Sequence, residues 1–172
     1  MCLYPVCQTK PEQHAETHDK KVIVYETKLG RTTVEFIHGS PFAVNCNGIV
    51  VPVLQNDGKI QVDTDVLTEL KRNEYQADIQ GYITRNMQSL LTNDFQLFES
   101  TNKEIAANKI IFLKFNNDDL HGGDTARVLG EKVKSILEFV SNQKIVTVSI
   151  PQLLKVGSFG LDQASYCDEV SR

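Results

Sequence analysis

The 172-residue sequence has no run of about 18 apolar residues, so no segment of it reads as a membrane-spanning helix. It has no surplus of positive charge. Its 18 Lys and Arg stand against 22 Asp and Glu, a formal net charge of -4. That balance excludes broad electrostatic capture of nucleic acid, which needs clustered positive charge. It leaves room for one small anion, which a few backbone amides suffice to hold. Cysteine is sparse: Cys2, Cys7, Cys46 and Cys167 are the only four. Zinc binding would need Cys2, Cys7, His14 and His18 to converge, and the cysteine pair is too loosely spaced for a tight knuckle. The first seven residues lack both a basic region and an apolar core long enough for a signal peptide, so a cytoplasmic location is the expectation. There is no internal repeat and no low-complexity tract.

What is present is the composition of one globular domain, 41% apolar and 23% charged. A chain of this length buries roughly two-thirds of its unfolded surface and needs no disulfide or metal to hold a core. Residues 1–20 read as a polar, mobile tail, and 21–172 as the domain. Val22–Tyr25 and Thr32–Ile37 are β-rich runs joined by Leu29-Gly30-Arg31, a predicted hairpin. Gly48–Leu54 is almost continuously apolar, as in a strand buried on both faces, with Pro52 expected near its end. Asn56-Asp57-Gly58 is a turn. Asp63 or Thr64 caps a helix carrying Val66, Leu67 and Leu70, and Ala77–Leu91 forms a second amphipathic segment.

The last third reads as strand, helix, strand: Lys109–Phe115, a helix from Thr125 to about Asn142, and Lys144–Ile150. That spacing predicts a βαβ unit with parallel strands. A short helix over Gln163–Val170 follows. The sum is an α/β fold with a mixed sheet. Ligands of such sheets bind beyond the carboxyl ends of the parallel strands, which points to loops around Val53–Ile60, Asn116–Asp124 and Gln152–Asp162.

The third of these loops carries the most chemistry. Gly157-Ser158-Phe159-Gly160 follows a buried strand and precedes a helix. Two glycines three apart let consecutive N–H groups face one anion, and a helix N-terminus beyond adds to the cradle. Alternatively it is an ordinary strand-to-helix connection. Elsewhere the bland roles are the expected ones. His38 is a rim residue. Cys46 is a small buried thiol rather than a nucleophile. His121-Gly122-Gly123-Asp124 and Asn116-Asn117-Asp118-Asp119 are solvated turns.

The order of hairpin, apolar strand, helices and βαβ unit, followed by Pro151 and then Gly157-Ser158-Phe159-Gly160, resembles a macrodomain, the three-layer α/β/α module that binds ADP-ribose. The family's loop is of the type P-A-I-S-T-G-V-F-G, and this chain has one residue more before the first glycine. The resemblance implies that the amides of Gly157, Ser158 and Gly160 hold a diphosphate and that Phe159 lies near the distal ribose. Asn47 stands where the family has an adenine-contacting Asp. Val51 and Leu54 replace the asparagines of the family's D-A-I-V-N-A-A-N strand, so the resemblance implies a divergent member without the usual hydrolase residues. Gly160-Leu161-Asp162 is similar to the G-L-D of macrodomains that remove ADP-ribose from glutamate, which would make Asp162 catalytic. The more ordinary role for Asp162, an Asp after a glycine turn, is to cap the last helix. The chain is also similar to the N-terminal domain of leucyl aminopeptidases, through Lys109–Phe115, Thr125-Ala126-Arg127 and Ile150-Pro151. That similarity implies a role in protein assembly, as a homo-oligomer or with another partner, and no ligand. The expectation is a binding module for ADP-ribose or a related nucleotide, more a binder than an enzyme, with no cofactor, nucleic acid or membrane partner.

Overall fold

The computed structural model describes residues 3–8, 22–29, 31–116, 119 and 124–151. Eight strands form one mixed sheet: β1 (Leu3–Gln8), β2 (Val22–Leu29), β3 (Thr32–His38), β4 (Gly48–Asn56), β5 (Lys59–Val62), β6 (Phe95–Glu99), β7 (Lys109–Asn116) and β8 (Thr147–Ser149). Their order across the sheet is β2-β3-β1-β8-β4-β7-β6, with β5 pairing on β4. The parallel heart is β8-β4-β7, and every other described pairing is antiparallel. Among the described residues three longer helices accompany the sheet: α1 (Thr64–Arg72), α2 (Gln76–Thr92) and α3 (Thr125–Asn142). None of them is long and apolar enough to cross a membrane.

The two-residue period of the strands separates the core into two layers. Ile49, Val51 and Val53 of β4 and Ile110 and Phe112 of β7 pack against Leu70 of α1 and Tyr75, Ile79 and Leu90 at α2. Val50 of β4 and Ile111, Leu113 and Phe115 of β7 pack on the other face against Leu129, Val133, Ile136 and Val140 of α3. The molecule is therefore an α/β fold with helices on both faces of a mixed sheet. The continuous apolar run of Gly48–Val53 is buried on both sides, as its composition demands.

Four details differ from the sequence expectations. The first residues are not all tail. Leu3–Gln8 is a strand inside the sheet, bonded along its whole length to β3 and over Val6–Gln8 also to β8. Its proline falls in the half that only β3 pairs, where a missing N–H costs least. Second, Pro52 lies at the middle of β4 rather than near its end. It is tolerated there because on that flank β8 pairs only with Gly48 and Ile49, while β5 begins at Val53. Third, Val53–Ile60 is not a loop. β4 runs on to Asn56 and turns through Asp57 (φ 48°) and Gly58 (φ 72°) into β5, a hairpin turn of the type with two positive φ values.

Fourth, Lys144–Val146 does not begin a strand. The amide of Ile145 donates to Val140 O and that of Lys144 to Ser141 O, which closes α3 with Lys144 in the left-handed region (φ 55°). α1 ends the same way, with Glu74 at φ 65° and Tyr75 N–H donating to Leu70 O. Glycine is the residue such a cap prefers. Lys144→Gly is therefore expected to raise stability by about 0.5–1 kcal/mol, the left-handed strain relieved less the extra chain entropy of glycine. An unchanged or lower urea midpoint would show that Lys144 is not strained.

Candidate functional site

The chain leaves β4 towards α1 and α2 on one face of the sheet, and leaves β7 towards α3 on the other. The two strands are parallel neighbours. Their carboxyl ends thus flank a topological switch point, the place where open α/β sheets form a crevice. Leu54, Gln55 and Asn56 of β4 reach this edge half-buried, and Phe115 and Asn116 of β7 stand beside them.

Side chains from β7 and α3 tie this edge together. Asn116 N–H donates to Asp119 Oδ2 at 2.8 Å, and Lys132 Nζ lies 3.5 Å from the same carboxylate. Lys132 also donates to Lys114 O at 3.0 Å and sits 5.5 Å above the Phe115 ring. At the start of α3 the Asp124 carboxylate accepts from Arg127 N–H, a capping bond worth about 1 kcal/mol. The Arg127 guanidinium is held at 2.9 Å by Asp124 and at 2.7 Å by Glu131, and these bonds raise its pKa further. Both cations of α3 at this edge are thus already engaged.

β5 lies on the other flank of this edge. It pairs with Val53–Asn56, on the same edge of β4 that β8 occupies at Gly48 and Ile49. The two strands are in line, and β5 holds the ladder positions that a longer β8 would need. Ile60 secures the arrangement, buried among the α1 and α2 contacts of the core.

The predicted site residues fall unevenly on this frame. Gly157, Ser158, Phe159, Gly160 and Asp162 lie outside the described residues, as do His121, Gly122 and Gly123 and the predicted helix over Gln163–Val170. Asn47 stands just before β4, at the amino end of the parallel strands. β4 is about 26 Å long at the usual rise per residue, so its carboxyl edge is remote from Asn47. The Asn47 side chain is engaged there: Oδ1 accepts from Thr147 N–H (3.1 Å) and Thr147 Oγ1 (3.0 Å). Asn47 N–H bonds back to Thr147. The pair clamps the start of β8 to β4. Thr147→Val, which removes the hydroxyl, is expected to cost about 1 kcal/mol, whereas Thr147→Ser keeps the bond and most of the stability. Equal losses in the two variants would deny the hydroxyl that role.

His38 is exposed at the end of β3. Cys46 is buried, its Sγ donating to Gly48 O at 3.1 Å. Burial pushes its thiol up from 9.0 to about 12 against the opposing effect of backbone hydrogen bonds, so it is no nucleophile at neutral pH. Among the described residues no group of three or more His, Cys, Asp or Glu side chains is placed to hold a metal. The Asp119–Lys132 pair and the β4–β5 hairpin went unread in the sequence as parts of this edge. Only the N-D-G turn signalled the second of them.

Comparison with protein-family models, with curated proteins and with solved structures found no match to this chain.

Proposed function

We propose that the chain is a binding module for ADP-ribose or a related nucleotide, held at the carboxyl edge of the parallel strands by the amides of Gly157–Gly160. The observation that carries this is the switch point itself. β8, β4 and β7 are parallel, their helices lie on opposite faces, and in sequence the glycine-bearing segment follows β8 and Pro151. The engaged cations of α3 agree with a site that holds its anion through amides. Asn47 has no part in the proposed site, because its amide is committed to Thr147 at the far end of β4.

Calorimetric titration with ADP-ribose tests the proposal, with AMP and NAD as comparators. The expected result is micromolar binding of ADP-ribose, weakened at least about tenfold, or 1.4 kcal/mol, in Gly157→Leu. No heat at high ligand concentration would overturn it. Where binding is found, Asp162→Asn separates binder from enzyme: loss of glutamyl ADP-ribose cleavage with retained affinity would assign Asp162 to catalysis.

The β4–β5 hairpin favours a second role, an assembly domain without a ligand, because β5 fills the row beyond β8 where a crevice would otherwise widen. Silence towards all three nucleotides, together with a concentration-dependent oligomer in sedimentation, would select this role.

A further inference from the structure

No further inference is drawn: the strongest candidate, the half-buried Asp119–Lys132 pair beside the Phe115 ring at the carboxyl edge of β7, belongs to the site already described.

Discussion

Phe112→Ala is expected to lower the stability of the folded chain by about 3–5 kcal/mol, a large share of the 5–15 kcal/mol that holds a typical domain together. Phe112 is the central aromatic of β7 on the α2 face and is 1% exposed. Its ring stacks on Tyr82 with centroids 5.1 Å apart and planes 10° from parallel, and Tyr82 in turn meets Phe98 of β6 at 4.6 Å. β7 has neighbours on both sides, with Phe112 opposite Val51 of β4 and Gln96 of β6, so the surrounding backbone has little freedom to close the void. Both the transfer free energy of the ring and the cavity it leaves enter the cost. Phe112→Leu keeps much of the volume and should cost less than half as much. Urea unfolding at constant slope checks both. A loss below about 1 kcal/mol in the alanine variant would mean that this layer of the core is not packed as described.

The second large effect is a dependence on alkaline pH. The Cys46 thiol rises from 9.0 to about 12 on folding because burial disfavours the thiolate. A group whose pKa is raised in the folded state stabilises that state fully below its unfolded pKa. The contribution is then lost as pH climbs through the folded value. For Cys46 the window runs from about pH 9 to about pH 12, and three pKa units correspond to roughly 4 kcal/mol. The Tyr75 hydroxyl acts in the same direction. Burial lifts it from 10.0 to about 12, while its bond to Ala107 O opposes the rise. Lysines also titrate in this range, so the informative quantity is a difference between variants. From about pH 8 to about pH 11 the wild-type chain should lose about 2–3 kcal/mol more stability than Cys46→Ala. Equal losses would show that the thiol is not buried in its neutral form. Peptide-resolved alkylation near pH 8 gives the kinetic counterpart, with Cys46 labelled only after unfolding.

Much of the architecture is local and was legible without coordinates. Val66, Leu67 and Leu70 repeat at helical spacing behind Asp63, whose carboxylate does accept from Asp65 and Val66 N–H. Gly48–Val53 has no polar residue with which to meet water, so it had to be a strand buried on both faces. The alternation of strands and helices from Lys109 onward fixed two parallel strands, though the sheet places β4 between them. Helix closure at Lys144 and Glu74 was not legible, because the glycine that usually announces such a cap is missing from both. Phe95–Glu99 also escaped notice. It is only five residues long, although it pairs antiparallel with β7, the next strand along the chain.

By itself the sequence determined the fold class, the two buried faces of β4, the three amphipathic helices and the turn at Asp57-Gly58. These follow from residue-by-residue preferences for water or core and from backbone freedom at single positions. Only the tertiary structure decided that Leu3–Gln8 enters the sheet between β3 and β8. It alone decided that Asn47 clamps Thr147 instead of facing the carboxyl edge, and that β5 pairs on the same edge of β4 as β8. The reason is the same in each case. Strand partners and their register are settled by competition between segments far apart in the chain for one set of backbone hydrogen bonds, and no local pattern records who wins.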